Sequence, residues 1–156
     1  MAAVKPVPDG YRSITPYVIV RGGAAAIAFY QKVFGARLRM KLDAPGGKIG
    51  HAELEIGDSL VMLADEHPEM GALAPPTIGG TPVGLHVYLA DVDAVAAKAI
   101  AAGATLKRPV ADQFYGDRLG SIVDPFGHLW HISTHIEDVS PDEIARRAAA
   151  LHGGAA

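Results

Sequence analysis

Along the chain the spacing of apolar and polar positions switches repeatedly between a period near two and a period near 3.6, and each switch marks an element. Tyr17-Val18-Ile19-Val20 is a short β-rich run stopped by Gly22-Gly23. From Ala24 to Phe34, Ile27, Tyr30 and Phe34 recur at helical spacing, and Gly35 stands where a helix would end. Arg37 to Leu42 predicts a strand, and the turn Ala44-Pro45-Gly46-Gly47 leads into the alternating His51-Ala52-Glu53-Leu54-Glu55-Ile56. That alternation sets His51, Glu53 and Glu55 on one face of a strand and Ala52, Leu54 and Ile56 on the other. Gly57-Asp58 turns the chain into Leu60 to Leu63, so the predicted order is βαβββ.

A Pro- and Gly-rich stretch from Glu66 to Pro82 predicts an extended connection, after which the order repeats. Leu85 to Leu89 reads as a strand and Asp91 to Ala102 as a helix with an acidic start. Thr105 to Val110, Leu119 to Val123 and His128 to Ser133 read as strands. Gly35-Ala36-Arg37-Leu38 returns as Gly103-Ala104-Thr105-Leu106, Tyr17 falls opposite His86, and Met62 falls opposite His131. This self-similarity points to duplication. The division is an arm over 1–14, a first module over 15–66, a linker over 67–82, a second module over 83–135, and a C-terminal helix and tail over 136–156, all within one domain. In the tail, Ser140-Pro141-Asp142-Glu143 combines a capping Ser, a Pro at the first helical position and a capping-box Glu ahead of Ile144 to Leu151. The apolar stripe Ile144, Ala148 and Leu151 suits docking on its own chain or on a second subunit, and amphipathicity alone leaves both open.

Neither module has enough sheet to bury its apolar face alone. The expected class is therefore α+β, two βαβββ modules forming one curved mixed sheet around a cleft, with a C-terminal helix. Composition agrees: 156 residues with 49% hydrophobic and 20% charged describe one packed domain. The 14 Lys and Arg against 17 Asp and Glu lack the basic surplus a nucleic-acid binder needs. Met1 to Ser13 holds no apolar run of signal-peptide length, and nowhere do ~18 apolar residues follow one another. A cytoplasmic protein with no membrane partner is expected. With no cysteine, disulfides and thiolate sites are excluded, and the seven histidines become the first candidates for chemistry.

Three segments carry a family resemblance: Ala28-Phe29-Tyr30-Gln31-Lys32-Val33-Phe34-Gly35-Ala36, Asp91-Val92-Asp93-Ala94, and Asp124-Pro125-Phe126-Gly127-His128-Leu129-Trp130. Through them the chain resembles the vicinal oxygen chelate superfamily of glyoxalase I, bleomycin and fosfomycin resistance proteins and extradiol dioxygenases, from about Thr15 to Ser133. His51-Ala52-Glu53-Leu54, Pro109-Val110, Gln113 to Arg118 and Trp130 look like the bacterial subgroup labelled phosphonate-locus or glyoxalase-like.

The resemblance implies a homodimer, and a ligand position on the first and last strand of each module. Those positions hold Tyr17, Met62, His86 (with Gly84 nearby) and His131. Met is a soft donor and neutral Tyr a poor one, which leaves two good ligands for a divalent ion. Two readings follow. In the first, the cleft binds a small, partly aromatic or amphiphilic molecule with no cofactor, and His86 and His131 are cleft-lining groups bonded to a backbone carbonyl or to Tyr88. In the second, His86 and His131 with His51 or Glu53 hold Zn, Ni, Fe or Mn in a glyoxalase-type lyase, isomerase or dioxygenase, and Glu53 moves a proton. In the loop Gln113 to Arg118, Arg118 suits a substrate carboxylate or phosphonate and Tyr115 a stacking face, or else Arg118 pairs with Asp117 while Tyr115 lies over the core. Phe126 and Trp130 are expected in the core. His128, His135, His67 and His152 sit at turns or ends where solvent is the default.

Overall fold

A computed structural model describes residues 4–153. The chain forms two compact units, one of residues up to Pro82 together with Pro125–His128, the other of Val83–Asp124 with the residues from Leu129 onward.

In the first unit, β1 (Tyr17–Val20) runs parallel to β4 (Ser59–Asp65), which pairs antiparallel with β3 (Lys48–Ile56), and β3 with β2 (Arg37–Ala44). In the second, β5 (Gly84–Tyr88), β8 (Leu129–His135), β7 (Asp117–Val123) and β6 (Thr105–Asp112) repeat the order β1-β4-β3-β2 as β5-β8-β7-β6. The duplication extends to an irregularity. Register shifts fall between Leu38 and Met40 in β2 and between Leu106 and Arg108 in β6, 68 positions apart in each case. A bulge kept in both copies bends both outer strands alike.

Each sheet buries one face under its helix. Alternation turns Val18, Val20, Ala52, Leu54, Ile56 and Leu63 toward α1 (Gly23–Phe34), whose Ala26, Ile27, Tyr30 and Val33 complete the core. Under α3 (Val92–Ala101) the matching layer is Ile122, Trp130 and Ile132, met by the small residues Ala96 and Ala99. Full burial of a Leu side chain contributes ~2 kcal/mol, so Leu54 and Leu63 alone weigh heavily against a net stability of about 10 kcal/mol.

Both helices start against the end of the last strand of their own unit. The Asp65 carboxylate accepts from the Gly22 and Gly23 amides at 2.8 and 2.9 Å and from the Ile49 amide at 2.7 Å. A methyl group on Gly23 would stand 2.7 Å from that carboxylate, which is why the helix opens on glycine. Sixty-nine positions on, Thr134 accepts from the Val92 amide at 2.9 Å, while Asp91 caps α3 locally through the Ala94 amide.

Three expectations are corrected. The stretch after β4 is folded rather than extended: Glu66 accepts from Arg21, Thr77 and the Ala74 amide and gathers a 3₁₀ turn (Pro68–Met70) and a short helix, α2 (Pro75–Ile78). Those three donors hold its carboxyl at about 2. The turn Pro125–His128 packs with the first unit, where Phe126 meets Phe29 and Tyr30 edge-on. His128, expected in solvent, there donates to the Ile19 carbonyl at 2.8 Å. The motif Asp124 to Trp130 is thus a framework motif, since Asp124 accepts the indole N–H of buried Trp130 at 2.9 Å.

The C-terminal helix α4 (Pro141–His152) begins with the Ser140 cap on the Glu143 amide and lies on its own unit. Arg147 bonds Glu137, Glu143 and the Phe114 carbonyl, joining the helix to the loop before β7. At Gly116 in that loop φ is +96°, and a methyl group would run into the Glu137 carbonyl oxygen.

Candidate functional site

The face of each sheet turned away from its helix carries the polar residues, and pairing register arranges them in rows. In the second unit His86, His131, Ser121 and Arg108 lie side by side across the four strands. The two imidazole centroids are 6.3 Å apart, on one face. His131 Nδ1 bonds Ser121 Oγ at 2.8 Å and His86 Nε2 bonds Ser133 Oγ at 2.7 Å. Gly84 makes room for this pair, because a methyl group there would come within 2.6 Å of His131 Nε2. Burial first, then the neighbouring His86, push the His131 pKa down and keep its ring neutral.

Tyr88 stands next to His86, ring centroids 4.8 Å apart, and donates its hydroxyl to Asp117 at 2.9 Å. Asp117 is buried and also receives His135 Nδ1 at 2.8 Å, while His135 Nε2 reaches Asp138 at 2.9 Å. Held between two carboxylates, His135 has its pKa raised, by Asp117 first. Around this cluster lies a cavity of about 540 Å³ lined by Tyr88, Tyr115, Asp117, His135, Asp138, Val139, Ser140 and Ile144. Strand, loop and the approach to α4 all contribute to it.

The corresponding row of the first unit is Tyr17, Met62, Glu53 and Met40. Here the polar groups are engaged with one another. Tyr17 and His51 Nδ1 are 2.7 Å apart, His51 Nε2 lies 3.4 Å from Glu53, and Tyr11 from the N-terminal arm donates to both Glu53 oxygens at 2.8 and 2.7 Å. Arg39, the bulged residue of β2, stacks on the Tyr11 ring at 4.7 Å. Glu53 is 3% exposed, and the Tyr11 bond holds its pKa below the usual carboxylate range.

Of the residues singled out from sequence, His86, His131 and Tyr88 come together on one face, and Tyr115 joins Tyr88 at the cavity. Tyr17, Met62, His51 and Glu53 come together on the other sheet. Arg118 does not join them. It belongs to β7, so alternation turns it away from Asp117, and its guanidinium is taken by Asp93 at 2.7 and 2.9 Å and Asp112 at 2.8 Å. An incoming anion would have to displace both carboxylates, and the expected Asp117 to Arg118 pair is replaced by these two.

The donors do not fit a hard divalent ion. Met62 offers a thioether, and Tyr17, half exposed but partly desolvated, has its phenol pKa raised and is a poor donor. Among the described residues no three His, Asp or Glu side chains are grouped as a metal site. Sequence reasoning took Asp117 only as a partner for Arg118, left His135 to solvent and did not single out Tyr11. Alternation from His131 through Ser133 reaches His135, whereas no local signal ties Tyr11 to Glu53.

The family model described as the Glyoxalase/Bleomycin resistance protein/Dioxygenase superfamily matches residues 13–132. The chain belongs to that superfamily. The uncharacterized protein Rv0887c of Mycobacterium tuberculosis is 41% identical over 135 residues, which are 85% of this chain and 79% of that protein. Among solved structures, TioX from Micromonospora sp. ML1 superposes with a TM-score of 0.61 at 27% identity, covering 83% of this chain and all of that one. Protein PA1353 from Pseudomonas aeruginosa gives 0.63 at 25%, covering 81% and 99%.

Proposed function

We propose that this chain binds a small amphiphilic, partly aromatic molecule on the open face of its second sheet, without a complete metal site. The cavity beside Tyr88 and Tyr115 carries the reading: about 540 Å³ falls within the range of small-molecule sites. Two aromatic faces supply apolar contact, and the neutral His131 and the adjoining His86 supply hydrogen bonds that fix orientation. Membership in the phosphonate-locus or glyoxalase-like subgroup is part of this proposal, supported by the segments from His51 to Leu54 and from Gln113 to Arg118. So are a cytoplasmic location and a homodimer. Each four-stranded sheet has two edge strands, and edges need cover.

The test is calorimetric titration with a panel of aromatic amines and carboxylates, repeated on His86→Ala and in the presence of EDTA. The expected result is a hit weakened about fivefold by the substitution, ~1 kcal/mol or one hydrogen bond, and unchanged by chelator. Loss of binding in EDTA would overturn the reading in favour of a glyoxalase-type metal enzyme. Light scattering at micromolar concentration checks the dimer, and a monomer would remove that part.

A further inference from the structure

The open face of the first sheet contains a hydrogen-bonded chain whose direction follows from protonation states. Glu53 is buried and ionised, so both its oxygens only accept, and the Tyr11 hydroxyl shared between them fixes the carboxylate in place. His51 Nε2 faces that carboxylate at 3.4 Å, which selects the tautomer with its proton on Nε2. Nδ1 is left with a lone pair, and the group 2.7 Å from it is the Tyr17 hydroxyl, which therefore donates to it. The order is carboxylate, imidazole, phenol, with the imidazole standing between the Glu53 carboxylate and the Tyr17 hydroxyl as a base would. The phenol at the end of this chain is open to solvent, for Tyr17 is 48% exposed although it stands in a β-strand.

We propose that Tyr17 is a nucleophilic site for activated acyl and sulfonyl groups, a phenol that stays protonated at rest and passes its proton to His51 only as the new bond forms, with no metal required. In the step with a sulfonyl fluoride, Tyr17 Oη attacks sulfur and its proton passes to His51 Nδ1. The O–S bond forms, the S–F bond breaks and fluoride departs, leaving an imidazolium against Glu53. Tyr17 is the nucleophile, His51 the base, and Glu53 and Tyr11 position that base. Nothing in this step involves the second sheet, so it stands independently of ligand binding there.

The probe is 4-(2-aminoethyl)benzenesulfonyl fluoride, with sites and rates read by peptide mass spectrometry on the whole protein at pH 7.5. N-acetyltyrosinamide is the free reference. Tyr17 is expected to react at least about tenfold faster than this reference, a threshold set below the ~100-fold or more that a positioned base typically contributes. His51→Gln should return Tyr17 to the reference rate, and Glu53→Gln should lower it about threefold. A Tyr17 rate in the unsubstituted protein no higher than that of the free reference would overturn the proposal, as would a His51→Gln protein that still labels Tyr17 at the original rate. The comparison of the unsubstituted protein with the free reference decides the matter even if a variant folds poorly.

Discussion

In the first unit the row across the open face reads Tyr17, Met62, Glu53, Met40; in the second, 68 or 69 positions further on, it reads His86, His131, Ser121, Arg108. Beneath both rows the frame is the same, down to the bulged outer strand and the last-strand residue, Asp65 or Thr134, that receives the helix amides. The open faces also acquire covers from opposite directions. The arm before β1 reaches Glu53 through Tyr11, and the segment after β8 reaches His135 through Asp138 and continues into the wall of the cavity. Duplication thus kept what backbone hydrogen bonding demands and freed the side chains that backbone geometry does not use.

The frame is the most sensitive part. Asp65→Ala leaves three amides without an acceptor, two of them buried, and should cost about 4 kcal/mol in urea denaturation, whereas Thr134→Val leaves one and should cost about 1.5 kcal/mol. Equal costs would mean that the two caps are equivalent after all. Next comes Gly116→Ala, where a left-handed backbone and the Glu137 carbonyl act together. A loss of about 3 kcal/mol is expected there, against about 1 kcal/mol for Gly46→Ala, whose φ is +76° but whose surroundings are open.

The smallest effects distinguish the two covers by pH. Because the Glu53 pKa is depressed in the folded chain, its stabilisation is present above the ordinary carboxyl value near ~4.3 and disappears as pH falls through the folded value. The raised pKa of His135 works in the other sense: its contribution is complete below ~6.5 and is lost as pH rises through the folded value. Urea midpoints of Tyr11→Phe should therefore converge on those of the unsubstituted protein in acid, and those of His135→Gln should converge in alkali. Convergence at the same end of the pH scale would show that the covers do not differ in this way.

Periodicity was enough to read both βαβββ orders, because a sheet half buried under a helix imposes alternation wherever it runs. It failed where distant side chains close a structure. Glu66 folds the linker through Arg21 and Thr77, 45 and 11 positions away, and nothing local announces this. His86, His131 and Tyr88 share a face because strands of equal register must place them so. Arg118 was lost to a boundary: with β7 begun at Leu119 it read as a free loop residue, and with β7 begun at Asp117 its direction is fixed. Tyr11 lies in an arm with no periodicity at all, and its bond to Glu53 spans 42 positions.

The claim that the second sheet works as a metal-free binding face is tested most directly by elemental analysis of the protein purified without an affinity tag and dialysed against metal-free buffer. Less than about a tenth of an equivalent of any divalent transition metal is predicted, the same for the unsubstituted chain and for His86→Ala. Close to one equivalent in the unsubstituted chain, falling with His86→Ala as it would when one ligand is removed from a sparse set, would contradict it.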